Sequence, residues 1–223
     1  MLSKKIVLIA LFLSGVVISN AQQNKDQEYV KVSNERAAKI VGKLALNDTE
    51  KEKKITQIIA EQYQNLNAVQ EKRDAEIKKV KDDSSLAKEK QNAEIEKLKS
   101  KADKSIDKLH KAYLKKLGTQ LNETKITEVK DGMTYGVLPI TVAGYNDMLP
   151  NLTKEQKAYI YNALVEAREH AMDGGSSKEK HAWFGKYKGR INNYLSKQGY
   201  DLNKESTDWH KRIEEREKAK SGK

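Results

Sequence analysis

TEKEKKITQIIAEQYQNLNAVQEKRDAEIKKVKDDSSLAKEKQNAEIEKLKSKADKSIDKLHKAYLKKL, residues 49–117, decides the fold. Ile55, Ile59, Gln62, Leu66, Val69, Ile77 and Val80 mark one stripe at helical spacing. After Asp82-Asp83-Ser84-Ser85, a second stripe runs through Ile95, Leu98, Ala102, Ile106, Leu109, Tyr113 and Leu117. The rest is mostly charged or polar, rich in helix formers, with neither Gly nor Pro. The spacing predicts two helices of about 33 residues, each about 50 Å long, joined near 82–85 into an antiparallel hairpin. One unbroken helix is the alternative. Either stripe is narrow, as in a coiled-coil seam, and the alternating Lys and Glu form its solvated face.

Upstream, Thr49 and Glu52 form a Thr-x-x-Glu capping box for the first long helix. Ala37, Ile40, Val41 and Leu44 suggest a short helix ending near Leu46, and residues 22–34 read as polar and loose. At the N-terminus, Lys4 and Lys5 precede an apolar run from Ile6 to Ile18. Ser19-Asn20-Ala21 then places small residues before Gln22. This is the pattern of a secretory signal peptide cleaved after Ala21, since a membrane span needs about 20 apolar residues. The expected product is a soluble periplasmic or secreted chain, residues 22–223. It comprises one mature domain made of a helical hairpin region (35–117), a helical body (118–217) and a frayed tail (218–223).

Of the 223 residues, 43 are Lys or Arg and 32 are Asp or Glu, a formal net charge of +11 with no cysteine. A disulfide scaffold, a thiolate metal site, a catalytic thiol and a lipidated cysteine are thereby excluded. Composition shifts after Leu117: nine of 12 glycines and both prolines lie in 118–199, and seven of 10 tyrosines in 135–200. Asn122 to Lys130 is a short helix candidate, ended by Asp131-Gly132. Met133 to Tyr145 (MTYGVLPITVAGY) is β-branched and punctuated by Gly and Pro, suggesting at most a short strand. Helices are expected over about 154–172, 177–198 (opened by a Ser176/Glu179 capping box and ended by Gly199) and 204–217. The fold class is predominantly α: a long helical hairpin attached to a Gly- and Tyr-rich helical body.

Lys178 to Tyr200 (KEKHAWFGKYKGRINNYLSKQGY) is the densest segment in chemistry, with six basic residues and one acidic between Lys178 and Gly199. Phe184, Tyr187, Ile191, Tyr194 and Leu195 group on one helical face as core. Lys186, Arg190, Asn193 and Lys197 form a second, polar stripe, and a planar Arg beside Lys and Asn suits a carboxylate, sulfate or phosphate. His181, Trp183 and Tyr187 complete the candidate ligand-binding set, the last two as flat stacking surfaces. Gly185 and Gly189 weaken the helix by roughly 1 kcal/mol each relative to Ala, suggesting a close approach by a backbone or a ligand. Glu166, His170 and Asp173 share a helical face as a secondary candidate, but a single His supports no metal site. The four histidines are scattered, and there is no P-loop, dinucleotide fingerprint or nucleophile elbow. No cofactor is expected.

Leu152-Thr153-Lys154-Glu155-Gln156 resembles the LTxxQ motif of Spy- and CpxP-type periplasmic chaperones, although it is equally a plain capping box. Four longer segments carry a wider resemblance: LALNDTEKEKKITQII (44–59), VKDGMTYGVLPITVAGYNDMLPNLTKEQK (129–157), EAREHAMDGG (166–175) and KHAWFGKYKGRINNYLSKQGYDL (180–202). Together they resemble the uncharacterised DUF3826 family of exported bacterial proteins, common in Bacteroidetes. The resemblance implies a product encoded among polysaccharide-utilisation genes and brings no catalytic residues with it. The expected function is accessory binding of an anionic partner such as an acidic glycan. The alternatives are a lyase-like polysaccharide-active enzyme at the same segment and a Spy-like chaperone. No nucleic-acid partner and no membrane span after signal cleavage are expected; the oligomeric state is left open.

Overall fold

A computed structural model describes residues 24–221, so the expected signal peptide, residues 1–21, lies outside the described residues. The chain divides into two compact units between Leu121 and Asn122, near the change in composition. Most of the described residues are helical, and none forms a strand. None of their helices is long and apolar enough to cross a membrane.

The first unit holds α1 (24–41), α2 (Thr49–Asp82) and α3 (Lys88–Gly118). The hairpin forms as expected, its seam filled by Ile55, Ile59, Leu66, Ile95, Ala102, Tyr113 and Leu117. A single long helix is prevented at Asp83. Its carboxylate accepts from the Ser85 amide (2.9 Å) and hydroxyl (2.6 Å), and its carbonyl accepts from the Gln91 side chain (2.9 Å). These local bonds compete with helix continuation.

Three expectations about this unit are corrected. Residues from 24 onward are helical rather than loose, and α1 ends at Val41 rather than near Leu46. Its buried stripe includes Ser33, a polar residue at a core position, whose hydroxyl donates to the Tyr29 carbonyl at 2.7 Å. The cap of α2 is Asp48, accepting from the Lys51 amide at 3.0 Å, not Thr49. Asp ranks above Thr as an N-cap, so the helix begins one residue earlier.

The second unit holds α4 (Glu123–Met133), α5 (Val137–Met148), α6 (Lys154–Ala171), α7 (Ser177–Lys197) and α8 (Leu202–Ser221). Its core joins Leu138 and Tyr145 of α5 and Leu149, the residue after it, to Ile160, Leu164 and Ala167 of α6 and Phe184, Ile191 and Leu195 of α7. The short strand expected near 133–145 is therefore a helix. Pro139 is the third residue of α5, where the missing N–H has no intrahelical acceptor to lose. Leu138, Tyr145 and Leu149 recur at helical spacing on the buried side. Of the expected frayed tail, residues 218–221 continue α8, and residues 222–223 lie outside the described residues.

Caps explain the remaining boundaries. Thr153 and Gln156 bond reciprocally at the start of α6 (3.2 and 2.9 Å), and the Gln156 Oε1 also accepts from the Tyr200 hydroxyl at 3.0 Å. The LTxxQ motif thus does structural work in this chain. Ser176 caps α7, but Glu179 reaches back to the Gly175 amide (2.7 Å) rather than to that of Ser176. Two helices end in the same Schellman motif. At the end of α7, Gly199 (φ +93°) holds the left-handed position, with the Tyr200 amide donating to the Leu195 carbonyl at 3.2 Å. At the end of α4 the Gly136 amide donates to the Asp131 carbonyl at 2.8 Å, and two successive residues are left-handed, Tyr135 (φ +60°) and Gly136 (φ +67°). A non-Gly residue there costs roughly 1–2 kcal/mol.

Candidate functional site

α6 and α7 pack antiparallel and expose one shared face. Along it Tyr159 stacks on Tyr194 (centroids 3.9 Å apart), Glu166 meets Arg190 (3.8 Å), and His170 stacks on Trp183 (4.4 Å) and lies 6.1 Å from Tyr187. Two cations rest on these rings: Lys186 Nζ lies 4.9 Å from the Trp183 centroid, and the Arg190 guanidinium 4.8 Å from that of Tyr187. The helical repeat produces the arrangement, since Trp183, Tyr187, Arg190 and Tyr194 follow one another at three- and four-residue steps and Lys186 lies three residues after Trp183. Burial, with the Glu166 carboxylate beside the hydroxyl, pushes the Tyr187 phenol above its ordinary value.

Of the residues singled out in the sequence, Trp183, Lys186, Tyr187 and Arg190 are brought together, and Glu166 and His170 of the secondary set join them. Asp173, the third member of that set, lies in the turn just after α6, which ends at Ala171. Among the described residues no group of three or more His, Asp and Glu side chains is placed to hold a metal ion. Asn193 and Lys197 are exposed further along the outer side of α7. His181 is separate: it lies about 200° around α7 from Trp183 and stacks instead on Tyr135, with centroids 6.0 Å apart. The role foreseen for Trp183 and Tyr187 as open stacking surfaces also changes, because His170, Lys186 and Arg190 already lie over their rings.

The close approach inferred at Gly185 and Gly189 is absent among the described residues. A Cβ added at either position meets no heavy atom within 4 Å, and both lie on the exposed outer side of α7.

Beneath this helix pair lies a buried ionic cluster that sequence reasoning missed. Arg168, 5% exposed, bonds to Asp131 of α4 at 2.8 Å and to Glu169 at 3.4 Å, while Lys130 reaches Glu169 at 2.7 Å. The Arg168 Nε is buried without a hydrogen-bond partner among the described residues. Lys180 is buried as well, its Nζ donating to the carbonyls of Ala171 and Met172 at the end of α6 (3.1 and 3.0 Å). Those carbonyls carry the negative end of the helix dipole, where a cation is stabilised. Tyr159 was also missed, although it falls seven residues before Glu166 and eleven before His170, on the same side of a helix.

The fold and site define an all-helical protein with an exposed face on which cations are seated on aromatic rings. The chain belongs to DUF3826, a family of proteins of unknown function, whose profile spans residues 30–215. No curated protein matches the sequence.

Proposed function

We propose that this is an exported binding protein for an anionic partner, an acidic glycan of polysaccharide utilisation, held on the exposed face of α6 and α7. The observation that carries the reading is the seating of Lys186 and Arg190. An aromatic ring orients a cation without neutralising it, so both charges remain available to a ligand carboxylate. Glu166 answers Arg190 only at 3.8 Å, and both side chains are more than half exposed. Such a pair contributes little on its own and yields readily to a ligand carboxylate that the guanidinium grips with two hydrogen bonds. Binding is favoured over elimination because Tyr187, the phenol nearest Arg190, is buried and shifted away from base strength at neutral pH.

Affinity electrophoresis or titration calorimetry against polygalacturonate, with a neutral glucan as control, tests this. Arg190→Ala is expected to weaken polygalacturonate binding about 10–100-fold, the loss of one charge-assisted bond. Equal affinity for the neutral control, or no loss in the variant, refutes the proposal.

A further inference from the structure

We infer that Tyr159 and Tyr194 form a stacking subsite beside Arg190, so that the α6/α7 face takes two neighbouring sugars of an acidic chain. The carboxylate of one lies on Arg190, and the ring of the next lies on the tyrosine pair. This rests on the acidic-glycan reading of the face and assigns the residues that set the ligand length it requires.

The first support is that this ring pair is uncovered. Trp183 and Tyr187 already carry Lys186 and Arg190 on their rings, and His170 lies on Trp183 as well. Among the described residues no cation lies over Tyr159 or Tyr194, which stack only on each other, 3.9 Å between centroids and 21° between planes. In a stacked pair each ring covers one face of its partner and leaves the other open. Tyr159 is 38% exposed, so the pair presents aromatic surface to solvent at the end of the row beyond Arg190.

The second support is the polar groups around the rings. Tyrosines that hold this unit together use their hydroxyls within the protein: Tyr145 donates to Asn192 Oδ1 at 2.6 Å and Tyr200 to Gln156 Oε1 at 3.0 Å. The hydroxyls of Tyr159 and Tyr194 bond to nothing among the described residues. Nor do the exposed amides of Asn162, three residues after Tyr159, and Asn193, three after Arg190. Three residues is one helical turn, so both amides border the row. An open ring edged by donors and acceptors matches a sugar, which has C–H faces and a rim of hydroxyls. A purely apolar ligand would gain nothing from that rim.

The third support is spacing and charge. Tyr194 follows Arg190 by four residues, about 6 Å along α7, the scale of one sugar residue. Exposed Lys186 stands four residues before Arg190 and exposed Lys197 three after Tyr194, so positive charge borders both ends of the row, as successive uronates require. The two acids near the row, Glu155 and Glu166, stand on α6. Ligand carboxylates are thereby turned toward α7.

The test is calorimetry and ligand-observed NMR on the full chain with galacturonic acid and its di-, tri- and tetramers, alongside thermal unfolding of each variant. Affinity is expected to rise about tenfold from monomer to trimer, the contribution of one stacked ring. Tyr159→Ala is expected to remove that rise, weakening the trimer about tenfold and leaving the monomer unchanged. Tyr159→Phe keeps the ring and most of the rise. Asn162→Ala, at an exposed position, is expected to cost the trimer about threefold and the monomer nothing, which keeps the test sound should Tyr159→Ala unfold. Arg190→Ala is expected to weaken every length. A monomer bound as tightly as the trimer, or a length-selective loss in neither the Tyr159 nor the Asn162 variant, overturns the subsite while the Arg190 reading stands. Oligomers that do not bind, or that are indifferent to Arg190→Ala, overturn both.

Discussion

Replacing Gly185 and Gly189 by Ala should stabilise the second unit, and the size of the gain follows from its geometry. Both glycines lie inside α7, away from its caps, on its exposed side, and a Cβ at either meets no atom within 4 Å. No overpacking therefore offsets the helix preference of Ala over Gly, about 0.8–1.0 kcal/mol per position. The double variant should gain about 2 kcal/mol, since neither methyl has a neighbour through which the two could interfere. With a urea m-value of about 1–3 kcal/mol/M, the midpoint moves up by about 0.7–2 M. Tryptophan fluorescence is the proper probe because the only two tryptophans, Trp183 and Trp209, both lie in the second unit. An unchanged m-value shows that stability, and not the extent of the transition, has changed. A midpoint that stays put or falls refutes the reasoning, because it would mean that the glycines are needed by the folded backbone. The same protein separates two uses of the glycines. If the stabilised variant binds polygalacturonate less well, its bare backbone belongs to the ligand surface.

Two further predictions concern charge. Asp131→Asn should destabilise the second unit by about 3 kcal/mol, because it leaves the buried Arg168 guanidinium short of its nearest carboxylate. Arg168→Met should cost less, since it leaves behind Asp131, which water reaches; urea titrations showing the reverse order would sink the argument. The third prediction is a pH dependence. The side chains of Arg216 and Trp209 hold the Asp147 carboxyl down to about 2, through bonds of 2.8–2.9 Å from Arg216 and 2.6 Å from the indole N–H. A carboxyl lowered in the folded state contributes stability above its ordinary pKa and loses it as pH falls toward about 2. Hydrogen exchange of α8 should therefore quicken on acidification in the wild type, and Asp147→Asn should be loosened already at neutral pH and flatter with pH.

What the sequence made legible was periodicity carried by large apolar residues. The hairpin stripes from Ile55 to Leu117 stand out because everything around them is charged, and capping residues fixed most helix starts to within a residue. Periodicity failed where a core position holds a residue of the wrong class. Ser33 is buried, yet its hydroxyl finds its acceptor one turn back along the same helix, so the stripe of α1 looks broken in sequence and is continuous in space. Pro139 and the β-branched residues around it argue for an extended segment only if proline is placed beyond the first turn; at the third position of α5 it is harmless. The candidate site was half legible for a related reason. Spacing along α7 groups Trp183, Lys186, Tyr187 and Arg190, but it cannot say which side α6 covers. It therefore could not foresee that His170 would lie on Trp183, or that His181 would face Tyr135.

The positive charge of the chain also gains a different meaning from its partners. In the hairpin, lysines pair with acids one turn away, as Lys53 does with Glu50, Lys97 with Glu94 and Lys111 with Asp107. Each such pair contributes little to stability, but each cancels a charge locally. On α7 Lys186 and Arg190 rest on rings, which hold the cations in place without cancelling their charge, and Arg190 meets the Glu166 carboxylate only at 3.8 Å. Two surfaces can thus carry the same number of lysines and project different fields, and screening leaves only the nearest charges to act on a ligand. An anion approaching the flank of α7 that carries Arg190 meets charge that is held in place and only loosely paired, so polygalacturonate binding should weaken steeply as salt rises.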